Sequence, residues 1–439
     1  MSKQVMLAAS AVAVLMSCTV NAATEIQWWH AMGGSLGDKV NEIAEGYNAT
    51  QDQFVVKPVF KGSYPETMTG AIAAFRAKQQ PHIVQVYEVG TATMMSADKA
   101  IYPVHQLMND SKEKFDPTAF LPSVTGYYTA NSGEMLSMPF NSSTPVLYYN
   151  KSMFEKAGLS DADAPKTWND LELVATKLLA SGAQCGFTTG YQSWVQLENF
   201  AARHNVAFAS NDNGFGGLDT ELLVNNKAFV DHISKLEQWS KTGAFKYGGR
   251  ASDAASLFYS GECAMYMNSS ASYAGIKENM PNTEFGVSEL PYWPSVIEQP
   301  QNSIIGGASL WVLQGHPKQD YEGVAEFFSY LSSAKVQADW HQFTGYLPIT
   351  QDAFELTESQ NFYQENPGTR IAIEQMTAVT PTKNSKGLRL GNFVQIRDVV
   401  DEELEQVWSG KQSAQQALDA VTARSNELLK NFERVNSKS

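Results

Sequence analysis

The sequence predicts an α/β protein of two doubly wound lobes with a ligand cleft between them, and three observations lead to this prediction. The 439 residues exceed the ~250 to 300 residues at which a single hydrophobic core usually divides. Strands and helices alternate near the start of the chain, which is typical of a doubly wound sheet. Short polar segments then lead into apolar strands, as expected where a chain crosses between lobes.

The first 22 residues are predicted to be a secretory signal peptide. Lys3 gives a positive start, residues 5–16 are almost entirely apolar, and residues 20–22 suit a cleavage site. The apolar run is shorter than the ~20 residues that cross a bilayer as a helix. The sequence therefore predicts an exported, soluble mature protein, with a lipoprotein signal at Cys18 as the alternative.

Charge and cysteine content limit the classes of binding partner and bear on the cellular compartment of the protein. A formal net charge of -14 argues against nucleic acid and anionic membrane surfaces, because both require a basic face. Removal of the signal peptide leaves Cys185 and Cys263, which an oxidising compartment allows to pair. Two free, buried cysteines are the alternative.

The first mature segment predicts strand, helix, strand, helix and strand in that order. Ser35 is expected to cap the first helix, because apolar residues recur at helical spacing after it. The three strands are expected at residues 25–29, 54–60 and 82–86. The second helix is expected to face inward with Met68, Ile72, Ala73 and Phe75.

Three later segments are expected to cross between the lobes. Residues 139–145 carry polar side chains between two prolines and precede an apolar strand, and residues 304–309 lead into another. A third crossing is expected near residues 345–350. Residues 151–204 and 227–241 are expected to be mainly helical.

These crossings divide the chain into two discontinuous lobes. The last part is predicted to be helical, with a helix over 399–408 and a final helix that Ser413 and Gln416 begin as a capping box. The N-terminal lobe is expected to comprise residues 23–142 and 308–346. The C-terminal lobe is expected to comprise residues 147–303 and 350–439. The hinge crossings are expected near residues 143–146, 304–307 and 347–349.

The sequence contains none of the motifs expected of an exported enzyme. It has no G-x-S-x-G elbow, no H-E-x-x-H helix and no cysteines with metal-ligand spacing, and its seven histidines are scattered. Glu88, Glu134 and Glu198 are candidates for the paired carboxylates of a glycoside hydrolase, although no motif singles out two of them. We therefore predict no catalytic residue, no metal site and no cofactor.

A resemblance to a known family rests on five segments. These are residues 28–37 (WWHAMGGSLG), 86–95 (VYEVGTATMM), 139–150, 304–311 and 386–397. They resemble the periplasmic sn-glycerol-3-phosphate-binding proteins, which are solute-receptor subunits of ATP-binding-cassette importers, and the similarity covers essentially the whole chain. The resemblance implies a type II, maltose-binding-protein-like receptor fold, a periplasmic location and no catalysis.

The resemblance also implies ligands and partners. The ligands would be sn-glycerol 3-phosphate and glycerophosphodiesters such as glycerophosphocholine. The partners would be the membrane permease and ATPase subunits of an importer, with the receptor a monomer until it docks. The alternatives are an oligosaccharide receptor of the same fold, with Trp28, Trp29 and Trp194 stacked on sugar rings, and a periplasmic glycerophosphodiester hydrolase.

Seven ligand contacts are implied by the same resemblance. Arg397 is a charged fork that can bind phosphate through two parallel hydrogen bonds. Glu88 would accept hydrogen bonds from glycerol hydroxyls but repel phosphate, so we expect it at the opposite end of the ligand. Hydroxyl side chains and a glycine backbone would supply neutral donors. The seven positions are Tyr64, Glu88, Ser143, Ser269, Gly307, Tyr346 and Arg397.

Structural roles stay open for some of these residues. Arg397 could instead pair with the acids that follow it on the same helix, and either Ser269 or Ser270 could cap the next helix. Tyr191 and Trp194 are expected to form an aromatic wall of the cleft.

Overall fold

The computed structural model describes residues 22–437, so the predicted signal peptide lies outside the described residues except for Ala22. None of the helices in this range is both long and apolar enough to cross a membrane. The strands, in chain order, are β1 (Thr24–His30), β2 (Phe54–Phe60), β3 (Ile83–Tyr87), β4 (Ile101–Tyr102), β5 (Met138–Ser143), β6 (Pro145–Asn150), β7 (Cys185–Thr189), β8 (Cys263–Ser269), β9 (Phe285–Ser288) and β10 (Gly306–Leu313).

The α-helices differ widely in length, from single turns to the long C-terminal helix. In chain order they are α1 (Gly34–Asn48), α2 (Tyr64–Arg76), α3 (Thr91–Met95), α4 (Val104–Asp110), α5 (Pro122–Tyr128), α6 (Lys151–Lys156), α7 (Trp168–Ala180), α8 (Asn199–Arg203), α9 (Ser210–Asn213), α10 (Lys227–Thr242), α11 (Ala255–Tyr259), α12 (Ser272–Asn279), α13 (Lys318–Leu331), α14 (Ala334–Thr344), α15 (Gln351–Ser359), α16 (Phe362–Glu365), α17 (Ile371–Thr377), α18 (Phe393–Trp408) and α19 (Ala414–Asn436).

The first sheet has the strand order β2-β1-β3-β10-β4, and β5 also pairs with β10. β1 is parallel to both β2 and β3, and helices α1 and α2 connect the three strands, as the sequence predicts. Along β1, Ile26 and Trp28 are fully buried while Gln27 between them is half-buried, because successive side chains point to opposite faces. The start of the chain therefore builds one doubly wound unit.

The second sheet, in the order β7-β8-β6-β9, contains a strand that the sequence analysis missed. β7 lies within residues 151–204, which were predicted to be mainly helical, and all of its residues are buried. A strand covered on both faces has no alternation of polar and apolar residues to reveal it. Cys185 on β7 and Cys263 on β8 are partners in the register and form a disulfide, so these cysteines pair rather than remain free.

The chain passes from the first sheet to the second between β5 and β6, and it returns between β9 and β10. Thr144 Oγ1 donates a hydrogen bond to Ser303 Oγ at 2.6 Å, so the two passages lie side by side. They fall at two of the segments that the sequence marks as crossings. The exact residue boundaries of the two lobes stay a prediction.

Two local predictions for the first lobe are wrong. Gly33 is the N-cap of α1, so Ser35 lies inside the helix and caps nothing. Ile72 and Ala73 on α2 are exposed rather than inward-facing. The helix begins at Tyr64 and turns the face that includes Met68 toward the sheet. Apolar spacing located both helices but not their rotation about the helix axis.

Candidate functional site

A cleft of about 630 Å³ is lined by residues from both sheets and from the segments that connect them. All seven residues of the predicted ligand site line this cleft, and so do Tyr191 and Trp194 of the predicted aromatic wall. The structure therefore brings together side chains that are spread over more than 300 positions of the sequence. Their contact with a ligand stays a prediction.

Tyr64 stands at the start of α2, in the first lobe's wall of the cleft. Its ring stacks on Tyr87 with centroids 5.2 Å apart and planes 4° apart. Asn141 Nδ2 donates a hydrogen bond to the Tyr64 hydroxyl at 2.8 Å, and Gln85 Nε2 donates to Asn141 Oδ1 at 2.7 Å. Burial raises the pKa of Tyr64 well above its ordinary value, so the phenol stays neutral. The Tyr64 hydroxyl also hydrogen-bonds the Tyr346 hydroxyl in the same cleft.

Gly307 and Ser143 belong to the paired strands β10 and β5 at the crossing between the sheets. Gly307 has a φ of +102°, and a Cβ there would lie 1.9 Å from the Asn141 carbonyl oxygen. The position therefore requires glycine for the backbone as well as for any ligand. Ser143 is the register partner of Gly306, so the same strand pair fixes the position of its backbone.

Tyr346 follows α14 and is held by its neighbours on two sides. Its ring stacks on Trp340 with centroids 5.5 Å apart, and its carbonyl oxygen accepts a hydrogen bond from His341 Nδ1. Tyr363 OH lies 3.0 Å from His341 Nε2. Burial lowers the pKa of His341 to about 4, so this imidazole is neutral near pH 7. The loop that carries Tyr346 is thus anchored to the helix before it.

Ser269 ends β8, and neither it nor Ser270 is the N-cap of α12, for which Ala271 takes that position. Ser269 Oγ instead accepts a hydrogen bond from the Ala271 amide at 3.1 Å. The Ser270 hydroxyl is buried without a hydrogen-bond partner among the described residues. Both capping alternatives are therefore wrong, and Ser269 keeps its hydroxyl proton for another acceptor.

Arg397 on α18 lies between two buried carboxylates from other parts of the chain. Its Nε and Nη2 donate to the two oxygens of Glu198, each at 2.8 Å, and Nη2 also donates to Glu88 Oε1 at 2.5 Å. Glu88 and Glu198 are only 5% and 2% exposed. The expectation that Glu88 lies far from Arg397 is wrong here, because the two side chains are in direct contact.

The alternative of local pairing on α18 is wrong as well. Asp401 accepts a hydrogen bond from Gln192 Nε2 at 3.0 Å, and Glu402 forms an ion pair with Arg424 at 2.6 Å. None of the three acids Asp398, Asp401 and Glu402 has a hydrogen bond to Arg397 within residues 22–437. The carboxylates that hold Arg397 come instead from the turn after β3 and from the segment before α8.

Burial and the neighbouring charges shift the pKa values of this cluster in opposite directions. Burial alone would lower the pKa of Arg397, but the Glu198 and Glu88 carboxylates raise it well above the ordinary value. Burial raises the pKa of Glu88, and Arg397 opposes that effect. Burial also raises the pKa of Asp401, at the rim of the cluster, to about 6. Arg397 is therefore permanently charged and already compensated by acids.

Tyr191 and Trp194 form one wall of the cleft. Their rings meet edge to face at 6.3 Å and 90°, and Trp194 Nε1 donates to the Ile305 carbonyl at 3.3 Å. Tyr191 has a φ of 39°, in the left-handed region, and its amide donates to the Ala251 carbonyl at 2.7 Å. The Trp194 ring is thus held by a backbone carbonyl, whereas the Tyr191 contact fixes its backbone.

The three carboxylates considered for hydrolysis do not form one site. Glu134 is exposed and hydrogen-bonds Ser132, outside the cleft. Glu88 and Glu198 do meet, but Arg397 bridges them. A hydrolytic pair needs one carboxyl free to donate a proton and space for a water. With Arg397 between them, Glu88 and Glu198 do not match the arrangement of a hydrolytic carboxylate pair.

Among the described residues, one group of three side chains has ligand atoms close enough for a metal ion: His82, His316 and Asp320. The two imidazole rings stack with centroids 3.8 Å apart, a pairing that the sequence did not predict. His82 Nδ1 accepts the Gln27 amide proton at 3.1 Å, so its Nε2 carries a proton and donates to Asp320 at 3.0 Å. The contacts describe a hydrogen-bonded pair rather than a prepared metal site.

The sequence analysis considered Glu198 as a candidate hydrolytic carboxylate and did not predict its contact with Arg397. It lies 199 positions from Arg397, and Glu88 lies 309 positions away. No motif spacing links residues so far apart. The only local signal is structural, because Glu198 ends a π-helical turn, Ser193–Glu198, and such turns are frequent at functional sites.

The chain is similar to known bacterial solute-binding proteins. A profile of the family described as bacterial extracellular solute-binding protein matches residues 42–370. The sn-glycerol-3-phosphate-binding periplasmic protein of Escherichia coli O1:K1 is 49% identical over 429 residues, covering 97% of this chain and 98% of that protein. The protein of the same name from Yersinia pseudotuberculosis is 49% identical over 427 residues, covering 97% of each chain.

Solved structures show the same fold at low sequence identity. UgpB of Mycobacterium tuberculosis in complex with glycerophosphocholine aligns with a TM-score of 0.79 and 19% identity, over 93% of this chain and 99% of that one. Maltose-bound MalE3 of T. maritima aligns with a TM-score of 0.75 and 16% identity, over 93% and 100%. The predicted maltose-binding-protein-like fold is confirmed.

Proposed function

The chain belongs to the family of bacterial extracellular solute-binding proteins, and we propose that its cleft captures sn-glycerol 3-phosphate and glycerophosphodiesters such as glycerophosphocholine. It would act in the periplasm and deliver these solutes to the permease and ATPase subunits of an ATP-binding-cassette importer. Binding is its whole task in this proposal, without catalysis. Relatives at 49% identity over nearly the full chain are named for sn-glycerol 3-phosphate, and this is the observation that carries the proposal.

The chemistry of the cleft fits a phosphate ester of a small polyol. Hydroxyl groups of Tyr64, Ser143, Ser269 and Tyr346 supply neutral donors, while Arg397 supplies the positive charge. Glu88 can accept hydrogen bonds from glycerol hydroxyls. A side-on phosphate contact with the Nε–Nη2 edge of Arg397 is not available, because Glu198 holds that edge. The phosphate would therefore approach the Nη1 end.

Ligand capture would favour closure of the two lobes. Glu88 and Tyr64 come from the first lobe, whereas Arg397 and Ser269 come from the second, so one ligand can contact both. A ligand that binds better to the closed arrangement shifts the population toward it. The closed surface would be the one presented to the importer.

The oligosaccharide alternative loses most of its support. Trp28 is fully buried in the first sheet, and Trp29 is half-buried with the Lys61 ammonium 3.8 Å from its ring centroid. Of the three tryptophans expected as sugar platforms, Trp194 alone lines the cleft. Stacking on sugar rings requires exposed aromatic faces inside the cleft.

Isothermal titration calorimetry of the mature protein tests the proposal. We expect binding of sn-glycerol 3-phosphate and glycerophosphocholine, no binding of maltose, and loss of phosphate-ester binding in Arg397→Ala. Binding of maltose alone, or phosphate-ester affinity that is indifferent to Arg397→Ala, would contradict it. Chromatography of the ligands after prolonged incubation tests the absence of catalysis, and any hydrolysis product would favour the hydrolase alternative.

A further inference from the structure

We propose that Glu198 is a positioning residue for ligand binding: it fixes the plane of the Arg397 guanidinium so that Nη1 is presented to the ligand phosphate. This inference rests on the proposed function and concerns a residue outside the seven predicted contacts. It is carried by the bidentate geometry of the Glu198–Arg397 pair, by the burial of Glu198 (2% exposed) and by the limited exposure of the Arg397 side chain (15%).

The guanidinium of Arg397 has three nitrogens, and two of them are occupied. Nε and Nη2 donate to separate oxygens of Glu198 at equal distances of 2.8 Å, which is the parallel arrangement that locks a planar fork. The second proton of Nη2 is directed at Glu88. Nη1 makes no hydrogen bond to any of residues 22–437, and it is not among their enclosed, unpaired nitrogens. It is the end of the fork left for a ligand.

Glu198 is itself held in place. Ser193 Oγ donates to Glu198 Oε1 at 3.1 Å from the other end of the same π-helical turn, and the Glu198 side chain is 2% exposed. The side chain therefore has no room to follow a moving arginine. An arginine side chain has several rotatable bonds, and a fixed bidentate partner removes much of that freedom before a ligand arrives.

Glu88 cannot take over this role. It accepts from a single nitrogen of Arg397 and belongs to the opposite lobe, so its contact depends on how the two lobes meet. Glu198 lies between β7 and α8 in the same lobe as Arg397, and its contact persists when the lobes separate. The orientation of the Arg397 guanidinium is thus fixed by a contact within one lobe.

The effect of Glu198→Gln on ligand affinity, compared between the wild-type protein and the Arg397→Lys variant, distinguishes a positioning role of Glu198 from a general structural role. Glu198→Gln keeps the size of the side chain but weakens the fork, and we expect it to reduce the affinity for sn-glycerol 3-phosphate about tenfold by calorimetry. In an Arg397→Lys background there is no planar fork to orient, so we expect the same substitution to change affinity less than about twofold. Glu402→Gln on α18 removes an equal charge from a surface ion pair and should leave affinity unchanged.

Equal weakening by Glu198→Gln in both backgrounds, or no weakening in the first, would overturn the inference. If circular dichroism shows that Glu198→Gln does not fold, Glu198→Asp, which keeps the charge but is too short for both contacts, takes its place with the same two expectations. A wild-type protein that binds neither sn-glycerol 3-phosphate nor glycerophosphocholine would instead refute the proposed function. The two failures are therefore distinguishable.

Discussion

At the scale of single residues, Gly307 and Arg397 are constrained by the backbone and by charge before any ligand is considered. Gly307 combines a left-handed φ with a carbonyl oxygen in the space of its missing side chain. Arg397 is the shared ion-pair partner of two buried acids and offsets part of their charge. Each residue is therefore open to a stability measurement that is independent of ligand binding.

Gly307→Ala is expected to destabilise the protein by about 2 to 4 kcal/mol, because the new Cβ would clash with the Asn141 carbonyl and the φ is unfavourable. Urea unfolding measures the free energy of unfolding. Gly126→Ala is the matched control, since Gly126 lies in α5 and a methyl group added there would meet no atom within 4 Å. Equal effects of the two substitutions would contradict the steric argument.

Arg397→Ala is expected to lower the free energy of unfolding by about 3 to 5 kcal/mol near neutral pH, because it leaves two buried carboxylates unpaired. Burial already raises the pKa of Glu88, and loss of Arg397 removes the opposing effect. A carboxyl whose pKa is higher in the folded state binds more protons there, so stability falls as pH rises through that pKa.

The deficit of Arg397→Ala should therefore shrink as the pH is lowered from neutral into the acidic range, because burial raises the Glu88 pKa and the protonated carboxyl no longer needs a charged partner. Chemical unfolding at several pH values measures this trend. Arg424→Ala is the control: its ion pairs with Glu402 and Glu403 involve an arginine that is 44% exposed, and its loss should cost below about 1 kcal/mol. A deficit that is constant with pH would argue against buried, titrating acids.

At the scale of elements, the predictions that are confirmed are those that rest on a clear short-range pattern in the sequence. Strand β2 has the predicted bounds, Phe54–Phe60, and the capping box of Ser413 and Gln416 at α19 is confirmed. Both depend on short-range patterns of the chain. β7 (Cys185–Thr189) is short, mixes apolar and polar residues and is buried on both faces, so it shows no period-2 alternation and was missed.

The disulfide between β7 and β8 is expected to stabilise the second lobe without affecting the cleft. Cys185→Ser with Cys263→Ser should lower the free energy of unfolding by about 2 to 4 kcal/mol. Cys263 begins β8 and Ser269 ends it, so the bond lies at the far end of the strand from the site. Affinity for sn-glycerol 3-phosphate should therefore stay within about twofold of the wild-type value.

Urea unfolding and calorimetry on the same preparation check both parts of this expectation. Chemical reduction of the unfolded wild-type protein before refolding provides a control without any substitution. A loss of affinity comparable to the loss of stability would show that the second sheet transmits strain to the cleft.

At the scale of the whole molecule, an ion pair joins the turn after β3 in the first sheet to helix α18, in addition to the crossing strands between the sheets. Glu88 lies in the turn after β3, and Arg397 lies near the start of α18. Their 2.5 Å contact stabilises an arrangement in which the lobes are close. The equilibrium between open and closed forms should therefore depend on this pair.

Glu88→Gln is expected to shift the population toward open forms and to increase the radius of gyration measured by small-angle X-ray scattering. The neutral side chain keeps its size but loses the charge attraction to Arg397 across the lobes. Glu134→Gln, an exposed position of the first lobe, should leave the radius of gyration unchanged. An unchanged radius in Glu88→Gln would mean that the crossing strands alone set the lobe arrangement.

Patterns along the chain were sufficient to predict most local elements, the two-lobed α/β class and the residues that line the cleft, because periodicity, turn chemistry and family motifs are all properties of neighbouring residues. How those cleft residues meet became visible in the folded molecule alone. Folding paired Arg397 with Glu88 and Glu198, joined Cys185 to Cys263 and required glycine at position 307. These contacts join distant segments, and contact between distant segments follows from packing rather than from spacing.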